Sequence, residues 1–98
     1  MRYDFQWSPR KAAINLRKHG ISFERATVVF RDPDQISVPE IEHSEFEERW
    51  ITIGLDGKGV LLVLSHTFQH LSETVCSIRL INARKATKAE TQQYEEGI

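Results

Sequence analysis

The dipeptide Asp32-Pro33 divides this sequence into two parts with different hydrophobic periods, and that change restricts the folds open to it. Before it the punctuation is helical. Ser8 is a capping residue, Pro9 suits a first helical position whose N–H has no partner, and Gly20 after Lys18-His19 supplies a left-handed terminator, so a helix runs from about 9 to 19. Ser22 caps a second helix, in which Phe23, Ala26, Val29 and Phe30 share one face until Asp32-Pro33 stops it. From residue 35 the pattern becomes strand-like, with segments near 35–39, 49–55, 60–67 and 75–83 and a hairpin turn at Asp56-Gly57-Lys58-Gly59. Thr87 and Glu90 form a capping box that opens a last helix ending near Gly97. Tyr3 to Trp7 adds a short strand at the start. Strand, two helices, four strands and a helix segregate the helices from an antiparallel sheet of four to five strands, which is the α+β class. Ninety-eight residues allow one modest core, so 1–98 is expected to be a single domain.

Composition narrows the function classes. With 40% apolar and 28% charged residues the chain belongs with folded globular domains. No apolar run approaches the roughly 20 residues of a membrane span, and the start, MRYDFQWSPRK, lacks the apolar stretch of a secretory signal, so a cytoplasmic protein without a membrane partner is expected. The single cysteine, Cys76, lies in an apolar run and is expected to be buried filler. A net charge of −1 argues against binding nucleic acid through bulk positive charge. The distribution is uneven, however: residues 1–25 carry six Lys/Arg against two acidic residues, and residues 31–56 carry two against eight. That asymmetry fits either a basic surface or solvated faces of mixed charge.

Several chemistries lack their parts. His19, His43, His66 and His70 show no metal-ligand spacing, no GK[ST] follows a strand, and no Gly-x-Ser-x-Gly elbow exists, so neither a metal nor another cofactor is expected. Metal-free RNA cleavage needs less, because the substrate's own 2′-OH attacks the adjacent phosphate. A base accepts that proton, an acid protonates the departing 5′ oxygen, and cations steady the charge on the phosphorane. His66, Glu48 and Tyr94 can transfer protons, and Arg49, Arg79 and Arg84 supply positive charge. If the hairpin turn pairs Leu55 with Val60, then Ile53 faces Leu62, Ile51 faces Leu64 and Arg49 faces His66. Arg79, between Ile78 and Leu80-Ile81, must point outward or hold a buried partner. Arg84-Lys85 and Lys88 stand at the N-terminus of the last helix, which attracts phosphate, although they also suit a solvated edge.

Three segments, Phe5-Gln6-Trp7-Ser8-Pro9-Arg10-Lys11, Asn15-Leu16-Arg17-Lys18-His19-Gly20-Ile21-Ser22-Phe23 and Val29-Phe30-Arg31-Asp32-Pro33, closely resemble the opening of BrnT-type toxins. His43-Ser44, Glu47-Glu48-Arg49, Ile53-Gly54, His66-Thr67, Arg79 and Ile81-Asn82-Ala83-Arg84-Lys85-Ala86 follow in the family's order, then Glu90 and Tyr94. The resemblance implies a RelE-like fold, cleavage of RNA, arrest of translation, and neutralisation by a BrnA-type antitoxin that also carries the complex to operator DNA. It points to Arg49, His66, Arg79 and Arg84 as catalytic, with Glu48 and Tyr94 as second choices and Lys18, Lys85 and Lys88 contacting RNA. Lys18 and His19 also suit the negative end of the helix dipole. The sequence departs from the family at Phe68 to Glu73, where a shorter turn with a basic residue is usual and Gln69-His70-Leu71-Ser72 stands instead. The rival reading is a binding module that keeps the fold and the antitoxin contact but has lost cleavage. Direct DNA binding by this chain alone has no convincing recognition helix to support it beyond the basic first helix.

Overall fold

The computed structural model of the chain describes residues 2–43 and 48–97, apart from the side chain of His43. In order the elements are β1 (Arg2–Gln6), α1 (Pro9–His19), α2 (Phe23–Thr27) with a 3-10 continuation (Val28–Arg31), β2 (Ile36–Pro39), a 3-10 turn (Ile41–His43), β3 (Arg49–Leu55), β4 (Leu61–Thr67), β5 (Gln69–His70), β6 (Val75–Lys85) and α3 (Lys88–Glu96). Residues 44–47 of the expected acidic stretch lie outside the described residues. The caps form as the sequence requires. Ser8 and Ser22 accept from the N–H groups of Lys11 and Arg25, the Thr87–Glu90 capping box is complete, and Gly20 and Gly97 take φ of 71° and 73°. The second helix tightens at Val28, within the β-branched run Thr27-Val28-Val29, whose side chains crowd the preceding turn.

The sheet runs β1-β6-β4-β3-β2, with β5 continuing the line of β4 along β6. The α+β expectation holds, but the sheet is mixed rather than antiparallel, because β1 lies parallel to β6 from Arg2↔Val75 to Gln6↔Arg79. No tight turn joins these two strands, so nothing local in the sequence declares their relative direction. Register is the second correction. Asp56 N–H donates to Val60 O (2.9 Å), and Gly59 at φ 79° closes a loop of residues 57–59, one shorter than expected. Leu55 therefore faces Leu61, and every pair shifts by one: Arg49 faces Thr67 and Trp50 faces His66. A one-residue slip exchanges the faces of a strand, so the expected Arg49–His66 pair does not form.

One face of the sheet carries Leu62, Leu64, Ile78, Leu80 and Ala83 against Ile21, Phe23, Ala26, Val29 and Phe30 of the helical segment. Two close approaches hold this layer. A Cβ on Gly54 would lie 2.8 Å from Val29 Cγ1, so the 3-10 turn rests on β3 only because residue 54 lacks a side chain. At the other edge β1 covers β6 only as far as Arg79, and Asn15 of α1 takes over. Its amide donates to Ala83 O and Ile21 O, both at 2.9 Å, and its Oδ1 accepts from Ala83 N at 3.0 Å. Asn15 is only 4% exposed, so these bonds replace a strand partner where water cannot reach.

At the far end α3 packs on β3. Arg84 holds Glu90 through two bonds of 2.7 and 2.9 Å, and Tyr94 donates its hydroxyl to Asp32, which also accepts from Leu55 N and Asp34 N. The Arg84 hydrogen bond outweighs burial and draws the Glu90 carboxyl down to about 2. For Asp32 burial pushes upward, but the bonds from Tyr94, Leu55 and Asp34 together hold it below the ordinary carboxylate range.

Replacing Asn15 by Leu keeps the branched side-chain skeleton but strands three buried backbone groups. At about 1–3 kcal/mol for each unsatisfied group, this is expected to cost at least 3 kcal/mol in urea unfolding; a loss below 1 kcal/mol would show that the edge is sealed in another way. Glu90→Gln is expected to cost about 1 kcal/mol at neutral pH. Because the folded carboxyl titrates near 2 and an ordinary one near 4.5, the pair stabilises fully above about 4.5 and is lost as pH falls through about 2. The variant and the parent chain should therefore converge in stability across that acid window.

Candidate active site on the open face of the sheet

Alternation along β3 and β4 sends Arg49, Ser65 and Thr67 to the face away from α1 and α2. In β6, Arg79 and Arg84 are five residues apart and would point oppositely in a regular strand. Ser65 faces Asn82 but His66 faces Leu80, so Ile81 is an extra residue, and this bulge returns Arg79 to the same face as Arg84. Arg79 N–H donates to Thr67 Oγ1 at 3.3 Å, beside the Arg49↔Thr67 pair.

Two cavities lie along this face. One of about 330 Å³ is lined by Glu48, Thr67, Gln69, Ser77 and Arg79 among others, and one of about 270 Å³ by Glu40, Arg49, Ser65, Asn82 and Arg84 among others. They adjoin along β4, where Thr67 belongs to the first and Ser65 to the second, and together they make one groove carrying three arginines. Glu40, held by the Ser65 hydroxyl at 3.1 Å, and Glu48 add carboxylates to it. Lys18 and Lys11 of α1 line a smaller cavity of about 180 Å³ that shares Ile81 and Asn82 with the groove.

The other expected site residues fall elsewhere. His66 is 2% exposed and lies on the core face, its ring edge-on to Phe30 at 5.0 Å. Burial pushes its pKa below the ordinary 6.5, so the ring is neutral. Nδ1 lies 2.9 Å from Thr67 O, which can only accept, so Nδ1 carries the proton and Nε2 accepts from Thr52 Oγ1 at 2.6 Å. Tyr94 sits at the Leu55 end of β3, roughly 20 Å of strand from Glu48 at about 3.3 Å per residue. Burial, together with its bond to Asp32, raises its pKa to about 12. Lys85 and Lys88 are exposed at the end of β6 and the start of α3 and line neither cavity of the groove. Arg84 lines the groove, yet its guanidinium is engaged by Glu90. Among the described residues no three His, Cys, Asp or Glu side chains gather as a metal would require, and no helix is long and apolar enough to cross a membrane.

Reading the sequence alone missed Thr67, Ser65 and Ser77 as groove residues. Their alternation on β4 and β6 was available, but only with the correct register and the bulge. Asn15 and Thr52 carried no signal, since nothing in their neighbours marks them as buried.

The sequence model of the family described as "Ribonuclease toxin, BrnT, of type II toxin-antitoxin system" matches residues 7–90. The fold is similar to the 1.1 Å crystal structure of the Brucella abortus ribonuclease toxin BrnT, with a TM-score of 0.60, 17% identity, and coverage of 90% of this chain and 100% of that one. A search of curated proteins gives no significant match. Since the family's pattern spans most of the sequence, the chain belongs to the BrnT family of ribonuclease toxins of type II toxin–antitoxin systems.

Proposed function

We propose that this chain is a RelE-like, metal-independent endoribonuclease that cleaves RNA in the groove between Arg79 and Arg49 and so arrests translation. The observation that carries the reading is the Ile81 bulge, which sets Arg79 on the same face as Arg49 and beside Glu48. Glu48 accepts the proton of the 2′-OH as that oxygen attacks the phosphorus. Arg79 and Arg49 stabilise the charge on the phosphorane's oxygens. The bond to the 5′ oxygen breaks, leaving a 2′,3′-cyclic phosphate, and the proton held by Glu48 or one from solvent passes to the departing oxygen. Arg84 serves chiefly to hold α3, and Lys18 extends the positive surface along α1 for the RNA backbone. His66 and Tyr94 act by holding structure, the first within the core and the second on Asp32.

A BrnA-type antitoxin in the same cytoplasm is the partner, and operator DNA is reached only through that complex. A groove lined by arginines is blocked directly by an inhibitor that lies across it, without a conformational change. The test is incubation of the purified chain with total RNA in EDTA, with and without the antitoxin. Cleavage should persist in EDTA and stop with antitoxin. It should fall about 10²–10³-fold in Arg79→Ala, the usual loss for one transition-state donor, and stay within severalfold of the parent in Tyr94→Phe. Undiminished cleavage by Arg79→Ala would move the chemistry out of this groove. A folded chain that binds antitoxin but leaves RNA intact would establish the binding module instead.

A further inference from the structure

Phe68 has a cavity on each side. One is the Arg79 cavity of the groove; the other, of about 230 Å³, is walled by the rings of Tyr3, Phe30, Trp50 and Phe68 on the core face. It is smaller than the roughly 300–1,000 Å³ of sites for drug-sized ligands, so it suits a single planar ring system, which aromatic walls hold by stacking. The passage between the two cavities follows from the strand order. β3 begins at Arg49, opposite Thr67, so β5 pairs only with β6 and its other edge carries no strand among the described residues.

The polar side chains of this cavity have a fixed sense. Thr67 O fixes the proton on His66 Nδ1, so Nε2 accepts from the Thr52 hydroxyl. Thr52 Oγ1, having donated, accepts from the Ser37 hydroxyl at 2.7 Å, and Ser37 is left with only lone pairs to offer. Gln35 spends its amide nitrogen on Phe30 O at 2.9 Å and Asp32 O at 3.2 Å, which leaves its carbonyl oxygen as the group it can offer. Both Ser37 and Gln35 line the cavity, and both are acceptors.

We propose that this cavity is the base subsite of the groove, and that it takes from the RNA a nucleobase with an exocyclic amino group (adenine, guanine or cytosine) in preference to uracil. The inference rests on the RNA-cleaving reading above. An amino group donates to Ser37 and Gln35, whereas uracil sets carbonyl oxygens against acceptors on either side of its one N–H. The base lies among the four rings, and its sugar and phosphate pass over the edge of β5, past Phe68, toward Arg79.

Deoxynucleotides test this without cleavage, because they lack the 2′-OH that attacks. The full chain would be titrated with deoxyadenosine, deoxyguanosine, deoxycytidine and deoxyuridine monophosphates while the indole N–H resonances of Trp50 and Trp7 are followed by NMR. Trp7 stacks edge-on to Phe23 at 5.9 Å and lies outside the cavity, so it is the internal control. Saturable shifts of Trp50 alone are expected with the three amino-bearing nucleotides, with deoxyuridine monophosphate binding at least about fivefold more weakly, the worth of one net hydrogen bond. Ser37→Ala should reduce that preference to about twofold. An unresponsive Trp50, or equal binding of deoxyuridine monophosphate, overturns the proposal. RNA cleavage measured on the same preparation separates the two readings. A chain that cleaves while Trp50 stays silent keeps the nuclease and loses the subsite, and one whose Trp50 selects amino-bearing bases while RNA stays intact keeps the cavity's chemistry and loses the nuclease.

Discussion

The hydrogen bonds of Asn15 to Ala83 are the contact on which the remaining structure depends most. β6 is the longest strand and the spine of the sheet, but β1 pairs with only its first half. The second half would present bare N–H and C=O groups to a layer that excludes water, and an unpaired buried backbone group costs as much as a lost hydrogen bond. A single amide from α1 satisfies both groups of Ala83 and also takes Ile21 O, at the point where the chain turns toward α2. One side chain thus fixes the helix on the sheet, the entry to the second helix, and the position of β6 beside the residues that line the groove. A leucine would bury as well, yet it would hold none of these three relations.

With β6 held there, the bulge at Ile81 decides what the sheet can do. Without it Arg79 would enter the core face, where an unpaired charge costs several kcal/mol, and the groove would lose the cation beside Glu48. His66 shows the converse. It has the residue type of a catalytic base but the environment of a core residue, and its ring serves to orient Thr52 and, through it, Ser37. The two faces differ in chemistry, cations and carboxylates on one and rings with oriented hydroxyls on the other, and they adjoin around the β4–β5 junction.

Much of this was legible in the sequence, and the parts that were not share a cause. Helix limits came through because Ser8, Gly20, Ser22, Asp32-Pro33 and the Thr87–Glu90 box act within a few residues of themselves. The α+β order followed from the same local signals. The Arg49–His66 pairing failed because register hung on whether Asp56 joined the loop or the ladder, and one residue there reverses every face along β3 and β4. The parallel direction of β1, the bulge and the Asn15 seal are all relations between segments far apart in the chain, which no window of sequence contains. Arg49, Arg79 and Glu48, singled out through the family's order of motifs, nonetheless lie along one groove, a neighbourhood that the alternation alone did not indicate.

On the proposed reading, the charge of the groove also bears on how a chain of net charge −1 would accommodate a polyanion. Its cations are not an undivided patch: Glu40 and Glu48 stand among the arginines, and Glu90 occupies Arg84. Bulk positive charge binds any nucleic acid through counterion release, with affinity that falls steeply in salt. A groove whose arginines alternate with carboxylates gives up much of that general attraction, and under the proposed function its positive potential would be kept for a phosphate at Arg79 and Arg49. Selectivity must then come from contacts other than charge, and the rings beyond Phe68 are the nearest surface able to supply them.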